Sequence, residues 1–105
     1  MTNYVVVYTG GTYPESEEEN AAVMADWGAW YEGLGADVVD GGNPFGPAKS
    51  IGGDGKINDG PVSSPPATGY TIINSDSLDA AMAKVQNHPH LKYGGQISVY
   101  ETFQM

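Results

Sequence analysis

Glycine and proline crowd into one stretch of this chain, residues 41–69 (GGNPFGPAKSIGGDGKINDGPVSSPPATG), which holds eight of the fifteen glycines and five of the seven prolines. Glycine carries too large a backbone entropy cost, and proline removes too many backbone donors, for such a stretch to run as a helix or a central strand. The stretch separates two stretches of regular periodicity and reads as an elaborate ordered loop between strands.

Ahead of the loop, residues 4–8 (YVVVY) are β-branched or aromatic at every position, which suits a strand buried on both faces and ended by Gly10-Gly11. Ser16 and Glu19 have capping-box spacing. They predict a helix over residues 16–34, with Val23, Trp27, Trp30 and Leu34 on one stripe and Gly33 and Gly35 as the stop. Residues 36–40 (ADVVD) form a short strand entering the loop. Inside the loop, residues 49–51 and 56–58 flank Gly52-Gly53-Asp54-Gly55 as a small hairpin. After Pro65-Pro66, residues 69–74 (GYTIIN) make a further strand. Ser77 then caps a helix with Leu78, Ala81, Met82 and Val85 on its apolar stripe, ended by Pro89, and residues 96–103 (QISVYETF) alternate as the last strand.

Strand, helix, strand, insertion, strand, helix, strand is the split βαβ order of an α+β, ferredoxin-like protomer, and 105 residues suffice for one such domain. Both helices must pack on one face of the four-stranded sheet. Tyr4, Val6 and Tyr8 share one parity of the first strand and Val5 and Val7 the other, so the uncovered face is apolar as well. A second copy of the chain is its simplest cover, and a homodimer is expected.

Composition removes several function classes. There is no cysteine, which excludes disulfides, thiolate catalysis and cysteine-type zinc sites. Thirteen acids face four lysines, with no arginine, for a net charge of −9. Nucleic acid and anionic membranes need clustered positive charge and are not expected partners. The bidentate arginine clamp for phosphate or carboxylate is missing too. Six acids between Glu15 and Glu32 read as a solvated helix face, or as a patch that attracts cations. The opening MTNYVVVYTGG has no basic flank and only a short apolar run, so neither a signal peptide nor a membrane span is expected, and the expected location is cytoplasmic.

The residues able to do chemistry are few. Asp40, Asn43 and Asp59 bracket the insertion; beside glycine they are turn formers, and equally groups that could converge at a pocket mouth, where a desolvated carboxyl becomes a general acid or base. His88 and His90 flank Pro89 at the end of the second helix. Their placement suits the helix dipole, and His88 is the preferred candidate for proton transfer because histidine titrates near neutrality. Trp27 and Trp30 serve either as core or as a pocket wall, the buried indole N–H needing Asn43 or a loop carbonyl as acceptor. Tyr8, Tyr70 and Tyr100 lie on strands; a mixed face holding Tyr8 and Tyr100 is expected to line a barrel cavity with hydroxyl donors for a small polar ligand. Neither a GxSxG elbow nor a phosphate loop nor an EF-hand spacing occurs, so no cofactor and no metal are expected.

YVVVYTG, a Trp-rich first helix, VVDGGNPFG, INDGP, GYTIINSDSLDAA and GGQISVYE together resemble the YCII-related domain family, including its DGPF-like branch, within the dimeric α+β barrel superfamily. The resemblance spans nearly the whole chain. It implies protomers that pair their sheets and a small cavity between sheet and loops, in a family mostly without an assigned reaction. Two features depart from it. Val62 stands where the branch has Phe, followed by Ser63-Ser64-Pro65-Pro66, and the first helix lacks the histidine on which the family's His and Asp acid-base reading rests. Three functions are weighed: a homodimeric small-molecule-binding domain, a cofactor-independent lyase or isomerase acting on a small cyclic substrate, and a structural or interaction module.

Overall fold

The computed structural model describes residues 2–12, 14–62 and 65–104; Ser63 and Ser64 of the loop lie outside the described residues. The elements run β1 (Thr2–Gly10), α1 (Glu17–Leu34), a 3₁₀ turn (Gly35–Asp37), β2 (Val38–Asp40), β3 (Lys49–Ile51), β4 (Ile57–Asp59), β5 (Ala67–Ser75), α2 (Leu78–Val85), α3 (Pro89–Lys92) and β6 (Gly95–Glu101). The main sheet has the order β2-β5-β1-β6 with every neighbouring pair antiparallel, and β3 and β4 form a separate two-stranded sheet. With β3 and β4 set aside as an inserted hairpin, this is the ferredoxin-like βαββαβ arrangement.

Local chemistry accounts for the helix ends. Ser16 Oγ accepts the Glu19 N–H at 3.1 Å, while the Glu19 carboxylate accepts from the Glu15 N–H at 2.9 Å, so the cap closes one residue further out than a reciprocal capping box. Gly35, with a φ of 56°, ends α1. Ser77 Oγ accepts from the Ala80 N–H at 3.1 Å and starts α2. Pro89 plays a different part from the one its sequence position suggests. The helix ends at Val85, and Pro89 opens α3 at its first position, with His88 as the cap residue.

The core lies between the helices and one face of the sheet: Tyr4, Val6 and Tyr8 of β1, Ile73 of β5, Trp30 of α1, and Ala81 and Val85 of α2. Leu78 and Met82, expected on the same stripe of α2, stay 43% and 44% exposed, because α2 is short and meets the sheet only through its Ala81 and Val85 side. Cross-strand register settles which tyrosines share a face. Tyr8 stands opposite Ile97 and Gly69 on the helix-covered side, whereas Tyr100 stands opposite Val5 and Tyr70 opposite Val7. The expected mixed face holding both Tyr8 and Tyr100 is therefore not formed, since residues paired across strands project to the same side. The opposite face carries Val5, Val7 and Ile72, half-buried, and no charged side chain on β1, β5 or β6.

The start of the insertion is tied to β5. Pro44 bridges Gly69, and the Phe45 N–H donates to the Thr68 carbonyl at 2.8 Å. A Cβ at Gly42 would run into the Tyr70 carbonyl, and its φ is 75°, so only glycine lets the chain pass this close.

Candidate functional site

A cavity of about 450 Å³ opens between α1, the Gly10 end of β1 and the strapped segment from Gly41 to Phe45. Its lining is mostly apolar and aromatic and includes Tyr8, Trp27, Tyr31, Phe45, Tyr93, Val23, Met24, Pro14 and Pro44, with Tyr70, whose side chain leaves β5 on the opposite face, at its edge. Size and lining are those of a small-molecule site. The i, i+4 spacing of Trp27 and Tyr31 puts both on the cavity side of α1, and the Tyr8 and Trp27 rings meet edge to face at 4.9 Å.

One layer below the wall sits His88, 1% exposed, with ring centroids 4.4 Å from Trp27, 4.3 Å from Trp30 and 4.9 Å from Tyr8. Its Nδ1 accepts the His90 N–H at 2.9 Å, so the ring proton belongs on Nε2, which has no hydrogen-bond partner among the described residues. Burial, and secondarily the neighbouring His90, pushes the His88 pKa down to about 3. Its imidazole is thus a neutral packing element at ordinary pH. The Trp30 indole N–H is satisfied by the Lys84 carbonyl at 3.1 Å.

His90 is the histidine that reaches the cavity. Its Nε2 lies 2.8 Å from the Thr9 carbonyl oxygen; a carbonyl only accepts, so Nε2 carries the proton and Nδ1 keeps the lone pair. The ring occupies space that a side chain at residue 95 would fill, since a Cβ built on Gly95 would overlap it. Gly95 is thus what lets the ring dock against the end of β1.

A chain of hydroxyls runs along one side. Tyr8 Oη is 2.7 Å from Thr71 Oγ1, Thr71 Oγ1 is 3.1 Å from the Gly41 carbonyl, and Tyr31 donates to that carbonyl at 2.9 Å. Burial pushes the Tyr8 phenol pKa well above its ordinary value, so it stays protonated. Across the cavity, Tyr93 donates to Asp26 at 3.0 Å. That bond, with the help of Lys92, holds the Asp26 carboxyl below the usual range, and burial together with Asp26 raises the Tyr93 phenol.

Of the residues singled out in the sequence, Tyr8, Trp27, Asn43 and Tyr70 belong to the cavity wall. Trp30 and His88 lie behind it in the core. Asp40 caps the turn by accepting from the Gly42 N–H at 2.8 Å, outside the wall, and Asp59 pairs with Lys49 at 2.7 Å on the exposed hairpin. Asp40 and Asp59 therefore do not converge at the cavity mouth: the insertion leaves the sheet edge as a separate hairpin. Tyr100, 59% exposed, is on the opposite face of the sheet. Tyr31 and Tyr93 of the wall are not among the residues singled out in the sequence, and of the two histidines around Pro89 it is His90, not the preferred His88, that reaches the cavity. Tyr31 was readable from its spacing to Trp27, but the inward turn of His90 depends on α3 starting at Pro89. Among the described residues no three His, Asp or Glu side chains come together to hold a metal ion, and no helix is long and apolar enough to cross a membrane.

No family model matches the chain, and no curated protein does. Among solved structures, 5-chloro-2-hydroxyhydroquinone dehydrochlorinase (TftG) from Burkholderia phenoliruptrix AC1100, in complex with 2,5-dihydroxybenzoquinone, is similar over 97% of this chain and 95% of that chain, with a TM-score of 0.56 and 20% sequence identity. Likeness at that identity shows a shared fold, the ferredoxin-like α+β arrangement described above.

Proposed function

We propose that this chain is a YCII-related, homodimeric small-molecule-binding protein whose cavity takes a flat, uncharged ring. The observation that carries the reading is the aromatic-walled cavity of about 450 Å³. Its wall includes no lysine, aspartate or glutamate, and the chain has no arginine and a net charge of −9, so an anionic ligand has nothing to pair with and is repelled at long range. A planar ring, in contrast, gains stacking and area burial against Trp27, Tyr31 and Phe45. The proposed dimer rests on the half-exposed Val5, Val7 and Ile72 face, on which β1, β5 and β6 carry no charged side chain. The expected result is saturable shifting of the Trp27 indole resonance by small phenols in protein NMR, with Trp27→Phe used to assign it. A cavity indole that ignores every neutral ring at millimolar concentration sinks the proposal.

Cofactor-independent proton transfer is the second reading, favoured by the His90 ring. Pinning Nε2–H on a backbone carbonyl leaves Nδ1 as a base of fixed orientation at the wall, the usual way a catalytic imidazole is held in one tautomer. The similar fold of a dehydrochlorinase supports trying chlorinated hydroxyhydroquinones as substrates. In this reading His90, rather than His88, Asp40 or Asp59, moves the proton. His90→Gln should lower the rate of chloride release roughly 10²-fold or more with the fold intact; an undiminished rate removes His90 from the chemistry.

A further inference from the structure

The hydroxyls and the imidazole on the cavity wall have already spent their protons on the protein. Tyr93 donates to the Asp26 carboxylate at 3.0 Å, which only accepts. The Nε2–H of His90 is given to the Thr9 carbonyl at 2.8 Å. Tyr31 has one proton, and both atoms it reaches, the Gly41 carbonyl at 2.9 Å and Thr71 Oγ1 at 3.2 Å, are acceptors within the protein. With Thr71 donating to the Gly41 carbonyl, the Tyr8 proton is taken by Thr71 Oγ1 at 2.7 Å, an arrangement that satisfies the whole chain of hydroxyls without a ligand. Thr12 and Thr68 likewise donate to the carbonyls of Tyr93 and Tyr8, each at 3.2 Å.

What these groups keep is lone pairs: the oxygens of Tyr31 and Tyr93 and Nδ1 of His90. The Tyr70 hydroxyl is directed at the Asp40 carboxylate at 3.5 Å, and among the described residues the side-chain donors of the wall left without a protein acceptor are the Trp27 indole N–H and the Asn43 amide. Lone pairs facing a buried carbonyl repel it, and a ligand acceptor must either compete for those two donors or turn a hydroxyl away from a bond it already makes. A ligand hydroxyl or amino proton meets the opposite situation and adds hydrogen bonds at no loss.

We propose that the cavity is selective for rings bearing hydrogen-bond donors, that is hydroxylated or aminated aromatics, over rings of equal size that carry only acceptors or no polar group. The proposal rests on the reading of the cavity as a site for flat neutral rings and adds the hydrogen-bond polarity of its ligand. For a compound that exists as a hydroquinone and as the corresponding quinone, the cavity holds the reduced, proton-bearing form. If the reaction is proton transfer, Nδ1 of His90 is then an acceptor to which a ligand O–H can be presented directly.

The test is a protein NMR titration of the full chain, under argon at neutral pH, with three size-matched probes: hydroquinone, 1,4-benzoquinone and p-xylene. The chain has no cysteine for the quinone to alkylate. Hydroquinone should bind at least about tenfold more tightly than either of the others, the equivalent of one or two hydrogen bonds. Tyr31→Phe should remove about threefold to tenfold of that advantage while leaving p-xylene affinity unchanged. Equal affinities, or a preference for benzoquinone or p-xylene, overturn the polarity argument and leave the flat-ring reading standing. Failure of all three probes to move the Trp27 indole overturns both. Tyr31→Phe weakening p-xylene as much as hydroquinone marks the residue as packing only and counts against the proposal.

Discussion

At the scale of single residues, the two histidines around Pro89 show how little separates a core group from a site group. His88 is sealed between two indoles and a phenol, and its pKa is pushed down to about 3, against an unperturbed 6.5. Below pH 6.5 the unfolded chain takes up a proton that the folded chain refuses, so the protein is most stable above that pH. Stability should fall as the pH drops toward 3, by up to roughly 5 kcal/mol from this residue. His88→Asn keeps a capping side chain but removes the titration. Urea unfolding between pH 7 and pH 4 should show the variant less stable at pH 7 and flatter with pH; an unchanged slope would rule out His88 as the source. His90, two residues on, is held at Nε2 by the Thr9 carbonyl and lines the cavity instead.

At the scale of elements, the hairpin of β3 and β4 is the least supported part of the fold. Its strands pair only with each other, and an isolated two-stranded hairpin is marginal in water. One side carries an isoleucine pair, Ile51 and Ile57, standing directly opposite each other and 63% and 66% exposed, next to the Lys49 and Asp59 ion pair on the same side. These isoleucines make little of the protomer's core, so Ile51→Lys combined with Ile57→Lys should change protomer stability by no more than about 1 kcal/mol. The same double variant should weaken a dimer that uses the hairpin as an arm, read as a higher dissociation constant in sedimentation. Unchanged self-association would confine the hairpin to a structural appendage. The sequence made this hairpin visible through its glycines, whereas it showed nothing of where the hairpin points.

At the scale of the whole molecule, the protomer is flat, 44 × 40 × 18 Å, with a radius of gyration of 15.1 Å against roughly 13 Å for a compact chain of this length. Flatness follows from a single sheet with helices on one side and nothing on the other. Four strands about 4.8 Å apart, averaging seven residues in length, present roughly 450 Å² on the open face. Two such faces supply about 900 Å², short of the 1,200 Å² or so that stable interfaces bury, so a dimer needs the hairpin arms in addition. Sedimentation at micromolar concentration should show two chains. Val7→Asp, at the centre of the open face, should give monomers with unchanged far-ultraviolet circular dichroism. A parent protein that stays monomeric under these conditions ends the barrel dimer proposal.

Apart from the short α3, the element order, the caps at Ser16 and Ser77 and the strand parity that makes both sheet faces apolar were legible in the chain. These are properties of near neighbours in the chain, where the period of the apolar residues and the spacing of a serine from a glutamate act within a turn or two. Which histidine is sealed and which lines the cavity, the parting of Tyr8 and Tyr100 to opposite faces, and the departure of Asp59 with the hairpin all follow from the folded arrangement. Those outcomes depend on cross-strand register and on chain segments that meet from far apart, such as Gly95 making room for His90 against Thr9. One residue of register, or one turn of α3, reverses each of them, and neither is written in local periodicity.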